Sequence, residues 1–196
     1  MGNRFAGFEQ EVRGPWQPKW YAGAVMDGYE TTGQFAAVHK TQDKPTQTGD
    51  SRNLKLCVTV VNGKGTLNLN YTVNYRPEAL EPERIEELKA ARERYKDIRG
   101  AWPDKLAQRD NLSLSRLHEL ERAGIPLEDA EDGGFNTDKM LGKAADWRLG
   151  VHRMLEGTKD SETVPQDVLK SATDEEKARF FNKITGVAAL DTKVGK

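Results

Sequence analysis

RNLKLCVTVVNGKGTLNLNYTVNYR, residues 52–76, is the stretch of sequence on which the fold depends. Apolar residues take alternate positions in two runs, Leu54, Leu56, Val58 and Val60, then Leu67, Leu69, Tyr71, Val73 and Tyr75. A period of two predicts strands that each bury one face. Between the runs lies Asn62-Gly63, and Asn-Gly is the strongest short signal for a hairpin turn. The stretch therefore predicts a β-hairpin.

The opposite face of this predicted hairpin is polar but carries few charges. Its side chains are Lys55, Cys57, Thr59, Asn68, Asn70, Thr72, Asn74 and Arg76. Such a face suits a binding surface rich in hydrogen-bonding groups, but a sheet face that is simply solvated is the favoured interpretation. The alternation predicts buried side chains at Leu56, Val58, Leu69 and Val73, and exposed side chains at Asn70, Thr72 and Asn74.

The composition limits the classes of protein that the chain can belong to. Its 196 residues can build one sizeable core or two small ones, and 31% of them are charged. The single cysteine, Cys57, excludes an internal disulfide framework, and the three histidines lack metal-ligand spacing. We therefore expect neither a metal nor a cofactor. No apolar run is long enough to span a bilayer and the first residues lack a signal-peptide layout, so the expected location is the cytoplasm.

Charge is distributed unevenly along the chain, although the net charge is only −1. Residues 1–76 hold 9 Lys/Arg and 6 Asp/Glu, residues 77–132 hold 10 and 15, and residues 133–196 hold 11 and 10. The strand-rich parts are thus mildly basic and the helical part is acidic. A local basic patch can bind phosphates whatever the total charge, and chance segregation of solvated charge would give the same pattern.

The segment before the hairpin predicts an arm, a strand and a loop. Residues 1–19 read as an irregular arm held by Phe5, Phe8 and Trp16. Residues 20–30, WYAGAVMDGYE, predict a first strand. Residues 31–51 predict a long polar loop, with a short strand segment at 35–39. A loop of this length in a compact domain is usually functional or disordered.

After the hairpin the periodicity changes to that of helices. Pro82 fits the first turn of a helix that ends at Gly100, and a second helix runs from Asp104 or Leu112 to Ala123, stopped by Gly124. The remaining predictions are a helical turn at 136–142, a strand at 143–154, a short helix at 166–170, a capping box at Thr173 and Glu176, and a polar tail at 191–196. Residues 180–190 fit a helix or a strand, and we favour a helical turn that leads into a strand near Asn182.

This order of elements, β-β-β-α-α-β-β, is that of an OB-fold, a five-stranded and partly open barrel. The prediction is a mainly β fold with an α-helical insert. Residues 20–190 form a single OB-like domain, and its helical insert spans 81–125. The alternative is an α+β fold in which two helices pack on an antiparallel sheet.

No motif for catalysis or for phosphate binding stands out, so the sequence does not predict an enzyme. Single-stranded nucleic acid needs stacking side chains beside a basic or amide-rich groove. The candidate binding residues are Trp20, Tyr21, Tyr29 and Phe35 near the first strand, Arg52, Lys55, Asn70, Asn74 and Arg76 from the hairpin, and Arg148, His152, Arg153 and Lys183 from the last two strands.

A resemblance to a known class of proteins rests on four segments of the chain. They are GAVMDGYETT (23–32), NLKLCVTVVNGKGTLNLNYTVNY (53–75), LHELERAGI (117–125) and FNTDKMLGKAADWRLGVHRM (135–154). In layout the chain resembles phage-encoded OB-fold single-stranded-DNA-binding proteins and their uncharacterised phage relatives. The resemblance implies binding of single-stranded DNA in support of phage replication or recombination, without catalysis, in the host cytoplasm, with replication or recombination proteins as possible partners. Residues 191–196 lack the acidic run through which many such proteins recruit partners. The alternative function is a protein-interaction or assembly module, such as a phage inhibitor of a host protein.

Overall fold

The computed structural model describes residues 4–9, 35–62, 65–95, 102 and 104–190. The strands are β1 (Phe35–Pro45), β2 (Arg52–Asn62), β3 (Gly65–Tyr75), β4 (Ala144–Met154), β5 (Ser161–Thr163) and β6 (Phe180–Ala188). The helices are α1 (Pro82–Tyr95), α2 (Lys105–Arg122), α3 (Gln166–Ser171) and α4 (Asp174–Lys177), with 3-10 turns at Pro77–Leu80 and Thr137–Met140. The strand predicted over residues 20–30 and Trp16 of the arm lie outside the described residues.

The predicted hairpin is confirmed. β2 and β3 pair antiparallel along their whole length, from Arg52 opposite Tyr75 to Asn62 opposite Gly65. Leu56, Val58 and Val73 are fully buried, as the alternation predicts. Of the other predicted positions, Leu69 is only partly buried, Asn70 and Thr72 are exposed, and Asn74 is half-buried.

β1 corrects the predicted loop over residues 31–51, because residues 35–45 form one strand of 11 residues. The sequence hid the strand because the buried side of its second half carries Thr41 and Asp43 instead of apolar residues. Both side chains are satisfied there: the Thr41 hydroxyl donates to the Thr137 carbonyl at 3.1 Å, and Asp43 accepts from Arg52 at 3.0 Å. The loop that remains between β1 and β2 covers only residues 46–51.

The described strands form an open six-stranded antiparallel sheet in the order β3-β2-β1-β4-β5, with β6 paired to β4. β1 joins the two halves, since its residues 38–45 pair with β2 and its residues 35–37 pair with β4. Within the described part of the chain the sheet does not close, so the predicted OB-type barrel is not confirmed. The fold is α+β: an antiparallel sheet with packed helices.

Helix α2 begins and ends where the sequence predicts, after Asp104 and before Gly124. The Asp104 side chain accepts from Leu106 N at 2.8 Å and caps its first turn. At the other end Gly124 has φ +82°, which lets Ile125 N donate back to Leu120 O at 3.0 Å and buries the Ile125 side chain. One hydrophobic core joins this helix to both halves of the sheet, and fully buried Trp147 lies in it.

The C-terminal elements also follow the prediction. The 166–170 helix is present as α3, and Thr173 and Glu176 form the predicted capping box at α4. The ambiguous segment 180–190 forms strand β6 after that single helical turn. Phe5 and Phe8 of the arm are fully buried. Among the helices that the structure describes, none is both long and apolar enough to cross a bilayer.

Candidate nucleic-acid interface

The outer side of β1, β2 and β3 presents a continuous surface of polar side chains, which we call the polar face. It consists of His39, Lys40, Gln42, Lys44, Asn53, Lys55, Cys57, Thr59, Asn68, Asn70, Thr72 and Asn74. Side chains opposite each other in neighbouring strands share one face of a sheet. The register therefore arranges these residues in rows that run across the strands.

Three of these rows cross all three strands. They are Lys40, Cys57 and Asn70; Gln42, Lys55 and Thr72; and Lys44, Asn53 and Asn74. Hydrogen bonds run along the rows: the Cys57 thiol donates to Asn70 Oδ1 at 2.8 Å, and Asn74 Nδ2 donates to Asn53 Oδ1 at 2.9 Å. These bonds hold the floor of the polar face in one arrangement and leave further donors and acceptors of its amides for a ligand.

The polar face carries positive charge and no carboxylate of its own. Lys40 and Lys44 are exposed on β1, and Lys55 is half-buried on β2. The ion pairs formed between described residues do not include these three lysines. Asp43, between Lys40 and Lys44 in sequence, points into the fold, with its side chain 2% exposed. Of the predicted site residues, Lys55, Asn70 and Asn74 come together on this face.

Arg52 corrects the predicted site, because it lies on the inner face of β2. Its guanidinium donates to Asp43 Oδ1 at 3.0 Å and to Asp132 Oδ2 at 2.8 Å. Asp43 also accepts from the Tyr75 hydroxyl at 2.5 Å and from Phe135 N at 2.8 Å. Burial raises the pKa of Tyr75, which keeps the phenol protonated as a donor. We call Asp43, Arg52, Tyr75, Asp132 and Phe135 the inner polar cluster. Its contacts hold residues 132–135 against the sheet.

Arg76 likewise does not point freely from the end of β3. Its Nε and Nη2 donate to the two carboxylate oxygens of Asp110, each at 3.0 Å, and Arg84 adds a third contact at 3.4 Å. Asp110 is 1% exposed, so the pair ties α2 to the strand end. The sequence could not reveal this pairing, since Asp110 lies on a helix 34 residues away.

The candidate residues on the C-terminal strands lie on β4 and β6, in the half of the sheet beyond β1. Lys183 is exposed on β6 opposite Gly150, whereas His152 is buried beside Phe181. Burial lowers the pKa of His152, with a smaller contribution from Lys183. Arg153 is paired with Glu162 at 2.7 Å, and burial lowers the pKa of Arg148. These four residues do not extend the rows of the polar face.

The predicted stacking residues are not placed on the polar face by the structure. Trp20, Tyr21 and Tyr29 lie outside the described residues. Phe35 begins β1 opposite Asp146, and its side chain is not among those described. The floor of the candidate interface, as far as the structure describes it, is therefore built from amides, hydroxyls and lysines.

Two arginines of α2 that the sequence did not single out stand beside β3. Arg116 Nη1 donates to the Thr72 carbonyl at 3.2 Å, and Arg109 Nη2 donates to Asn74 Oδ1. Both residues are exposed. The signal in the sequence was their spacing of seven residues, which puts two side chains on one face of a helix. That spacing does not reveal which strand the helix face adjoins.

Among the described residues, no group of three or more histidine, cysteine, aspartate or glutamate side chains is placed to hold a metal ion. Comparison of the chain with protein-family models, with curated proteins and with solved structures found no match. The inference of function therefore depends on the geometry of the polar face.

Proposed function

We propose that the chain is a single-stranded-DNA-binding protein that supports replication or recombination and catalyses no reaction. The observation that carries this proposal is the polar face, where cross-strand rows of lysines, amides and hydroxyls contain no carboxylate. Phosphate contacts from lysine supply most of the affinity for a nucleic acid backbone. Amide and hydroxyl groups can meet the unpaired edges of bases.

The sheet topology supports the same proposal at the level of fold. An OB-type barrel binds oligonucleotides on the face of its second and third strands. Here β1 divides its pairing between β2 and β4, β6 follows β4 in the sheet, and β3 approaches β6 without a ladder between them. We propose that this is a partly open relative of the OB barrel, with α1 and α2 between the third and fourth strands. The polar face then occupies the surface on which that fold binds its ligands.

Fluorescence anisotropy with a labelled dT oligonucleotide, measured over a range of salt concentrations, tests the proposal. We expect binding that weakens with salt. The three lysines should contribute about 2 to the log–log slope, because each lysine–phosphate contact to a single strand contributes roughly 0.7. Replacing Lys40, Lys44 and Lys55 with glutamine should remove most of that slope. No binding of the wild-type protein at low salt would overturn the proposal.

A matched control replaces Lys159, Lys170 and Lys177, which lie in the β4–β5 turn, α3 and α4, with glutamine. This variant changes the net charge equally but leaves the polar face intact. Equal losses of affinity in the two variants would show that total charge, not the polar face, determines binding.

The alternative, a protein-interaction module, is favoured by the glutamates that α1 exposes at positions 83, 86 and 87. A pull-down with and without nuclease separates the two functions. Proteins retained only while nucleic acid is intact support DNA binding, whereas partners that survive nuclease support the module.

A further inference from the structure

We propose that the helical insert forms part of the DNA-binding site. Arg109 and Arg116 of α2 supply two further cations beside the edge of β3. The single strand then crosses the sheet from β1 to α2, at right angles to the strands. This inference rests on the proposed function and extends it to a helix that the sequence assigned to no ligand.

The two arginines continue rows that already cross the sheet. Arg116 donates to the carbonyl of Thr72, the last residue of the row that contains Gln42 and Lys55. Arg109 donates to the side chain of Asn74, the last residue of the row that contains Lys44 and Asn53. Each of these two rows therefore includes a lysine and ends in an arginine.

Each guanidinium keeps donors for a phosphate after these contacts are made. A guanidinium has five N–H donors in a planar fork, and it binds phosphate in a bidentate manner. The contact with β3 fixes the position of each exposed side chain, so less conformational freedom is lost on binding. Arginine is the better of the two basic residues for this task because its fork is preorganised.

The acidic neighbours of the two arginines are directed elsewhere. Asp110, next to Arg109 in sequence, is buried and accepts from Arg76 and Arg84. Glu119 lies near Arg116, but its Oε2 accepts from the hydroxyl of buried Tyr71 at 3.4 Å. Neither carboxylate is turned towards the polar face.

The spacing of the cations fits a strand that crosses the sheet. β1 and β3 lie two strand spacings apart, about 10 Å. The contact points at Thr72 and Asn74 are two residues apart along β3, or about 7 Å. Lysines on β1 and arginines on α2 thus border a strip of amides and hydroxyls in which Lys55 is the one charged side chain among the described residues. The strip is wide enough for bases between two sets of phosphate contacts.

Replacing both arginines with alanine tests the inference in the full-length chain, with the same dT oligonucleotide and salt series. We expect the slope to become shallower by about 1.4, since two phosphate contacts to a single strand are lost. The conservative variant, Arg109→Lys with Arg116→Lys, should recover most of the slope. Circular dichroism establishes that each variant is folded.

Arg122→Ala is a single-charge control on the same helix, because Arg122 lies in the last turn of α2 and its charge acts on His118. It should leave the slope unchanged. If the wild-type protein binds and the lysine variant loses slope while the double alanine variant does not, this inference is overturned and the proposed function stands. If the wild-type protein does not bind the dT oligonucleotide, the proposed function and this inference both fail. In a parallel titration, stronger binding of a matched rU oligonucleotide than of dT would identify the ligand as RNA and not DNA.

Discussion

Replacing Arg52 with methionine tests the inner polar cluster, because methionine keeps the length of the side chain and removes its charge. The Arg52 side chain is 6% exposed. It contacts the side chain of Asp43, which is 2% exposed, and that of Asp132, which is 64% exposed. The contact with exposed Asp132 contributes little. The main effect is a buried aspartate that loses its counter-charge, which typically destabilises a protein by about 3–5 kcal/mol.

Asp43 keeps two donors, the Tyr75 hydroxyl and Phe135 N, so we expect a loss at the lower end of that range. About 3 kcal/mol in a chain of this size lowers Tm by roughly 6–12 °C. Thermal melts followed by circular dichroism measure the change, and urea unfolding gives the free energy. Lys55→Gln, on the opposite face of the same strand, is the control and should melt close to the wild type.

The double variant Asp43→Asn with Arg52→Met should be more stable than Arg52→Met alone, because it no longer buries an unpaired charge. The Arg52→Met protein should keep the salt dependence of DNA binding. A variant that melts within about 1 °C of the wild type but loses slope would show that Arg52 contacts DNA, and the reasoning from the inner polar cluster would be refuted.

Three further predictions concern the hairpin and a buried histidine. Val58→Asp places a charge in the core, which costs several kcal/mol, so the protein should be insoluble or unfolded in a thermal melt. Asn70→Asp should melt normally but bind dT more weakly, through phosphate repulsion; unfolding at 70 and not at 58 would mean that the faces are reversed. Burial lowers the pKa of His118, so its contribution to stability is present above about pH 6.5 and is lost as the pH falls through its folded pKa. His118→Gln should therefore flatten the fall of the urea midpoint between pH 7 and pH 5, and an unchanged fall would contradict this origin.

The elements that could be predicted from the sequence are those with a strong local signal. The hairpin has an uninterrupted alternation, the end of α2 has Gly124, and α4 has its capping box. β1 lacked such a signal, because it satisfies buried polar side chains through residues far along the chain. Local patterns carry no information about such partners.

The candidate site was predicted in part for the same reason. The alternation along each strand correctly places Lys55, Asn70 and Asn74 on the outer face. The same alternation predicts that Arg52 lies on the inner face. Its even number is shared with Leu54, Leu56 and Val58, which fill the core. Arg109 and Arg116 could not be assigned, since the packing of α2 beside β3 is a tertiary contact.

A register shift in β1 decides which of its side chains reach the surface. Val38 pairs with Val58 and is buried, whereas Lys40 pairs with Cys57, so His39 is an extra residue in the ladder. A bulge of this kind reverses the phase of the alternation within one strand. Val38 therefore points inward before the bulge, whereas Lys40, Gln42 and Lys44 point outward after it. Deleting His39 would leave the pairing on both sides intact and keep Lys40, Gln42 and Lys44 on the surface, because Lys40 would then follow inward Val38 directly in a regular alternation.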